Sequence, residues 1–137
     1  MRKTELTPEV IAERKALANH AKECIKNQMH IDAEDEQSLM TTYRDFYLQI
    51  SFTELHPLMV ICFIRKLEPA SATLLHQRAN EMNLKGVLGC HTVNDSFSFY
   101  HYRTAHWLDA PLTEERFFEI LTRCADDAIR GYSYLTV

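Results

Sequence analysis

The chain has 137 residues, of which 46% are hydrophobic and 25% are charged, and its formal net charge at pH 7 is −4. This composition is typical of a globular protein, and the length suits one domain with a single core, so we assign residues 1–137 to one domain. Because basic and acidic side chains are mixed along the chain, it has no basic stripe for a phosphate backbone, and nucleic-acid binding is not expected.

The cysteines and the apolar runs indicate the cellular compartment in which the protein is expected. Four cysteines are widely spaced without a C-x-x-C pair, which favours reduced thiols in the cytosol. The N-terminus lacks the apolar core of a signal peptide. The longest apolar run, LMVICFI from Leu58 to Ile64, is much shorter than the roughly 20 residues that span a bilayer. We therefore expect a cytoplasmic protein without a membrane segment.

The first predicted element is a helix from about Pro8 to Asn27. Thr7 is suited to cap it, and Pro8 is suited to its first turn. Apolar residues recur at steps of three and four, so one stripe should pack on the domain's own sheet, with a protein partner as the alternative. The acidic bridge HIDAEDEQS that follows lacks the ligand pattern of a calcium loop, and we predict a solvated loop there.

Three strands are predicted next. The first lies around Ser38 to Tyr43. The second, from Phe46 to Thr53, alternates apolar and polar residues, which indicates a half-buried strand. The third, LMVICFIRKL, is apolar on both faces, which is typical of a central strand.

The second half of the chain continues with a helix, a hairpin and a helix. Pro69 breaks the third strand, and the helix after it runs to about Asn83. The stretch VLGCHTVNDSFSFYHYRTAHW predicts two strands around a tight turn at Asn94 and Asp95. Thr113 should cap the last helix, and Gly131 should end it.

The hairpin, residues 87–107, concentrates the reactive side chains of the chain. A turn centred on Asn94 and Asp95 places one set of histidines and tyrosines on a single face: His91, Tyr100, Tyr102 and His106. Cys90 and His101 fall on the other face, so the histidines do not converge on a metal. Cys90 cannot pair with its neighbour His91 as nucleophile and base, which leaves a remote histidine such as His56 or His76 as the alternative base. We therefore predict no catalytic residue, no metal site and no cofactor.

The order of elements predicts an α+β fold. It consists of an antiparallel five-stranded sheet with three helices on one face, in the order α-β-β-β-α-β-β-α. The side chains assigned to the uncovered face are Tyr47, Met59, Ile61, Phe63, Tyr100 and Tyr102. Monomers seldom leave a large aromatic and apolar patch in water, so we predict that these residues bind a protein partner or a second copy in a homodimer. The alternative is that the first helix or a long loop covers this face.

The same order of elements resembles the YbjN-like family, bacterial sensory transduction regulators that in turn resemble type III secretion chaperones. The segments that carry the resemblance are DFYLQISF, LMVICFIRKLEPASATLLHQRANEMN and LTEERFFEILTRCADDA. It extends over nearly the whole chain, from a strand ending in LEP to a C-terminal helix opened by Leu-Thr-x-Glu. The resemblance implies a small α+β domain, often dimeric, that binds protein partners or acts in regulation without a cofactor. It carries no catalytic motif.

Two functions follow from these observations. The first is a non-enzymatic protein-binding module, chaperone-like or regulatory, that acts as a homodimer or with a protein partner. The alternative is a small enzyme or a small-ligand-binding protein that uses the hairpin, with His91, Tyr100, Tyr102 and His106 around a pocket.

Overall fold

The computed structural model describes residues 6–53, 56–68, 71–94, 96 and 98–136. Within these residues the chain forms, in order, α1 (Pro8–Gln28), β1 (Ala33–Glu34), β2 (Ser38–Tyr43), β3 (Phe46–Phe52), β4 (Leu58–Lys66), α2 (Ala72–Lys85), β5 (Cys90–Val93), β6 (Phe99–Trp107) and α3 (Glu114–Thr136). The strands form one six-stranded sheet in the order β1-β2-β3-β4-β6-β5, with every neighbouring pair antiparallel. The predicted α+β class is confirmed, and β4 is central as predicted.

The prediction of five strands is wrong by one, because the acidic bridge contains β1. Ala33 pairs with Met40 and Glu34 with Leu39. Both β1 residues are exposed, so they leave no alternating apolar pattern in the sequence. A contact with α1 holds the segment in place, since the Lys26 ammonium lies 2.7 Å from the Glu34 carboxylate.

The helix starts follow their capping residues. The Val10 N–H donates to Thr7 Oγ1 at 3.2 Å, and the Arg116 N–H donates to Thr113 Oγ1 at 3.1 Å, as the sequence predicts. The predicted end of the last helix is wrong, because α3 continues through Gly131 to Thr136. Pro69, predicted to break the strand before α2, lies outside the described residues.

One face of the sheet, called here the covered face, packs against the helices. Its buried strand side chains are Leu39, Thr41, Phe46, Leu48, Ile50, Phe52, Met59, Ile61, Phe63, His91, Tyr100, Tyr102 and Thr104. Buried residues of α1, α2 and α3 join the same core cluster. We call the opposite face the open face; among the described residues of β2 to β6, Ser38 is its one buried side chain.

Five of the six residues predicted on an uncovered face lie instead in this core. Met59, Ile61, Phe63, Tyr100 and Tyr102 are all on the covered face and buried. The cause is the pairing of β3 with β4, which sets Leu48 opposite Phe63 and Ile50 opposite Ile61 and so aligns their inward side chains. A strand that is apolar on both faces gives no local signal of which face is inward, so the prediction of an uncovered face for these five residues is wrong.

The hairpin between β5 and β6 has a longer connection than a two-residue turn. Such a turn would set Val93 opposite Ser96, whereas Val93 pairs with Tyr100. The Asn94 side-chain oxygen accepts the N–H groups of Ser98 and Phe99 at 2.8 Å each, which closes a wider loop. Asp95, the other predicted turn residue, lies outside the described residues.

The longer connection leaves the predicted faces of the hairpin unchanged, because the register shifts by an even number of residues. His91 is opposite Tyr102 on the covered face, and His101 is opposite Thr92 on the open face. On the outer edge of β5, the Asn83 side chain of α2 bonds both backbone groups of His91 at 2.8 Å. The helix thereby occupies the hydrogen-bonding positions that a further strand would use at this residue.

Candidate functional site

The open face of the sheet carries an apolar and aromatic patch. Its apolar members are Met40, Tyr47, Leu58, Val60, Cys62, Ile64, Phe99 and Trp107. Tyr47 is 61% exposed and Trp107 is 69% exposed, and they lie towards opposite ends of the patch, because Tyr47 pairs with Ile64 and Trp107 with Leu58. Val60, Cys62 and Ile64 are half-buried between the neighbouring strands. Within the described part of the chain, no helix buries these side chains.

Of the six residues predicted to bind a partner, the structure leaves Tyr47 at this surface. The sequence analysis missed Val60, Cys62, Ile64 and Trp107. A signal for them lies in β6, where the exposed Arg103 and Ala105 alternate with the buried Tyr102 and Thr104. Arg103 is charged and such a side chain is seldom buried, so its pairing with Cys62 marks the outward face of β4.

Beneath the covered face, a buried polar cluster joins the hairpin to α3. His91 Nδ1 lies 2.7 Å from the Tyr100 hydroxyl, and the Tyr102 hydroxyl donates to the Asp127 carboxylate at 2.6 Å. His91 Nε2 lies 3.9 Å from the same carboxylate. His91 is only 3% exposed. The structure therefore brings together three of the four predicted hairpin residues and adds Asp127, which the sequence analysis did not single out.

The three glycines of the chain all lie around this cluster. A Cβ atom on Gly131 would lie 2.5 Å from both His91 Nδ1 and the Tyr100 hydroxyl, and one on Gly89 would overlap the Tyr102 ring. Gly86 and Gly131 also line a cleft of about 350 Å³ between α2, β5 and α3. Gly131 therefore lies inside α3, where its lack of a side chain allows the close approach of the helix to the hairpin.

The ionisation of the cluster is governed by burial. Burial lowers the pKa of His91, while the Asp127 carboxylate acts in the opposite direction. Burial also raises the pKa of Tyr100 and of Tyr102, and Asp127 adds to the rise at both hydroxyls. Both phenols therefore stay neutral hydrogen-bonding groups, and His91 favours its neutral form. A fully paired, closed cluster of this kind fixes the hairpin against α3.

The fourth predicted hairpin residue, His106, lies in a separate group. Its Nε2 is 2.8 Å from Thr104 Oγ1 and 3.8 Å from Cys124 Sγ. Burial raises the pKa of the Cys124 thiol, which disfavours the thiolate needed for nucleophilic chemistry.

Among the described residues, no group of three or more His, Cys, Asp and Glu side chains is arranged to hold a metal ion. In that same part of the chain, no helix combines the length and apolar character needed to cross a membrane.

Comparison with known proteins gives the fold a precedent. No protein-family model matches the chain, and no curated protein sequence matches it. Among solved structures, YbjN of E. coli, a proposed transcription regulator, is similar with a TM-score of 0.65 and 10% identity over 84% of this chain and 88% of that one. The predicted resemblance to YbjN is thus confirmed for the fold.

Two further structures extend the comparison to secretion chaperones. A chain of the HopA1–SchA chaperone–effector complex has a TM-score of 0.58 and 11% identity, covering 94% of this chain and 99% of that one. The Yersinia pestis type III secretion chaperone SycH, in complex with a stable fragment of YscM2, has a TM-score of 0.56 and 10% identity, covering 85% and 98%. At these identities the likeness establishes a shared fold.

Replacing Gly131 with alanine tests the close approach of α3 to the hairpin. The added methyl group would clash with His91 and Tyr100, so Gly131→Ala should lower the free energy of unfolding by about 1–3 kcal/mol, although alanine is otherwise the better helix former. Chemical denaturation measures the change. Ser133→Ala, at an exposed position of the same helix, is the control and should change it by less than about 0.5 kcal/mol. Equal stability of Gly131→Ala and the control would contradict this packing.

The buried histidines predict that stability falls in mild acid. An unfolded histidine takes up its proton near pH 6.5, whereas burial lowers the pKa of His91 and His106 in the fold. Below about pH 6.5 the unfolded chain therefore binds more protons, and the free energy of unfolding should decrease from pH 7.5 to pH 5.5. Denaturation at both values should show a smaller decrease for His91→Gln than for the wild type. A decrease of unchanged size in the variant would contradict the assignment to His91.

Proposed function

We propose that this chain is a non-enzymatic, chaperone-like protein-binding module that presents the open face of its sheet to another protein chain. One observation carries the proposal: an apolar and aromatic patch crosses the open face, while the buried side chains of all three helices pack on the other face. Exposed tyrosine and tryptophan are typical of protein interfaces, because each combines a large apolar surface with a polar tip.

The size of the patch is consistent with a binding role. With a rise of about 3.3 Å per residue and about 4.8 Å between strands, the patch from Leu58 to Ile64 and from β2 to β6 measures roughly 20 by 15 Å. Its footprint of on the order of 300 Å² is in the range where the largest patch of a monomer is often functional. A stable interface buries about 800 Å² per partner, so the bound chain would also contact residues beyond the patch.

The fold neighbours support the same reading. Two of them are described in complex with other proteins, one as a chaperone with its effector and one as a chaperone with a YscM2 fragment. YbjN, the proposed transcription regulator, supports a regulatory use of the same binding activity. The bound protein is either a different chain or a second copy in a homodimer.

Four free cysteines, two of them on the open face, favour a reducing cytoplasm as the place of action.

The proposal is tested by capturing partners with the tagged protein from a lysate of its host. The double variant Tyr47→Ser, Trp107→Ser should lose a partner that the wild type retains, since both side chains are exposed and their loss leaves the core intact. Leu84→Ser, at a 78% exposed leucine of α2, is the matched control and should capture like the wild type. Ile61 and Phe63 are unsuitable targets because both are core residues. Equal capture by all three proteins would contradict the proposal.

A second candidate function is small-ligand binding in the cleft between α2, β5 and α3. The observation that favours it is the convergence of His91, Tyr100, Tyr102 and Asp127 beneath a cleft lined by Gly86 and Gly131. Lys85 and Arg130 line the cleft together with Glu81 and Asp127, so a bound ligand would meet charges of both signs there.

Native mass spectrometry of the protein purified from its host tests this second function. A ligand at one copy per chain that is lost in Arg130→Gln but kept in Arg123→Gln would establish the site, since Arg123 lies on α3 outside the lining of the cleft. Ligand-free protein, or a ligand that both variants retain, would eliminate it.

A further inference from the structure

Charge is divided unevenly between the sheet and the rest of the molecule. The chain contains 19 acidic residues, yet β2, β3, β4, β5 and β6 contain none. The same strands contain Arg65, Lys66 and Arg103. Strands disfavour aspartate and, more weakly, both glutamate and lysine, so strand preference accounts for the missing acids better than for the cations that are present. A protein with a net charge of −4 therefore has a sheet with positive charge.

Two of these cations lie on the open face. Arg103 is exposed on β6, opposite Cys62 on one side and Cys90 on the other, and Lys66 is opposite Phe99 at the end of β4. Exposed cations in a sheet commonly face a carboxylate across the strands. Within the described residues, neither Arg103 nor Lys66 forms an ion pair.

The field of Arg103 reaches the centre of the patch. Burial raises the pKa of the Cys62 thiol, and the positive charge of Arg103 acts against that rise. An anion brought to this position would meet a cation beside half-buried apolar groups, where water screens the attraction less than at an open surface.

The helical side of the molecule is arranged differently. Its exposed arginines lie close to carboxylates, as in the pair of Arg123 with Glu119 at 3.0 Å and the pair of Arg44 with Asp126 at 3.0 Å. The cations of these pairs have a carboxylate partner within the chain, whereas Arg103 and Lys66 have none among the described residues and can meet an external group.

We propose that the open face binds an extended segment of a different protein, and that this segment carries apolar side chains together with at least one carboxylate placed against Arg103. The inference rests on the proposed function and adds the chemistry of the partner. The apolar residues of the segment would cover Val60 and Ile64, and its carboxylate would supply the charge that the strands lack.

A second copy of this chain does not offer that chemistry. An isologous contact through the open face would join the same patch on both subunits, and strands β2 to β6 contain no acidic residue to meet Arg103 or Lys66. Like charges would be brought together and desolvated, which disfavours the contact. Single-stranded nucleic acid would use the exposed aromatic rings, but it needs a positively charged groove along its backbone, and two cations on an acidic protein do not form one.

Peptide selection tests the inference with the intact protein. A display library of random 12-residue peptides is selected on the wild type, on Arg103→Glu and on Arg123→Glu, which makes the same charge change on α3. Peptides selected on the wild type should combine apolar residues with Asp or Glu. Their affinity should fall at least about tenfold on Arg103→Glu and change less than twofold on Arg123→Glu, and selection on Arg103→Glu should shift to peptides with Lys or Arg. Thermal denaturation checks that the variants are folded.

Three binding results would overturn the inference. They are selection of uncharged or basic peptides on the wild type, failure to select any peptide, and tighter binding of a single-stranded oligonucleotide. So would a dimer in sedimentation velocity that Arg103→Glu alters and Arg123→Glu does not. If captured partners depend on Tyr47 and Trp107 but not on Arg103, the proposed function stands and the charge preference fails.

Discussion

The pairing of β4 between β3 and β6 is the constraint on which the rest of the structure depends. Met59, Ile61 and Phe63 of β4 are fully or almost fully buried, and burial of side chains of this size contributes roughly 1.5–3 kcal/mol each. The Phe63 ring is edge-on to Phe46 at 5.7 Å and tilted against Tyr102 at 6.1 Å, so it joins all three strands in one core. A shift of one residue in this pairing would turn the core residues of β4 outward and would remove the patch from the open face.

The polar cluster of the hairpin secures the other half of the sheet. His91, Tyr100, Tyr102 and Asp127 are costly to bury individually, and the hydrogen bonds among them offset that cost. Gly131 allows α3 to approach closely enough for Asp127 to reach Tyr102. Asn83 holds the outer edge of β5, and together these contacts fix β6, which supplies Arg103 and Trp107 to the open face. The histidine and tyrosine side chains of the hairpin are therefore largely buried and hydrogen-bonded, and they position the strands that form the open face.

What a protein with this fold can bind depends on which face of its sheet is left uncovered and on the side chains that this face carries. The fold neighbours include a proposed regulator and chaperones in complex with other proteins, and at 10 to 11% identity they establish the architecture and not the partner. In this chain the open face presents the exposed Tyr47 and Trp107 at the two ends of the patch, together with Arg103 and Lys66, which form no ion pair within the described residues. Apolar contact would supply binding energy, and charge would supply selectivity.

The sequence by itself determined most of the elements and part of their packing. Caps at Thr7 and Thr113, the alternation of β3 and the common face of His91, Tyr100 and Tyr102 follow from contacts between residues close in the chain, which local pattern reports directly. Only the tertiary structure decided which face of β4 is inward, that Ala33 and Glu34 form a strand, and that Gly131 lies inside a helix. Each depends on a partner distant in sequence: Leu48 opposite Phe63, Lys26 beside Glu34, and His91 against Gly131. A strand apolar on both faces satisfies the same local pattern in either orientation, so the composition of the open face was defined only when the strands were paired.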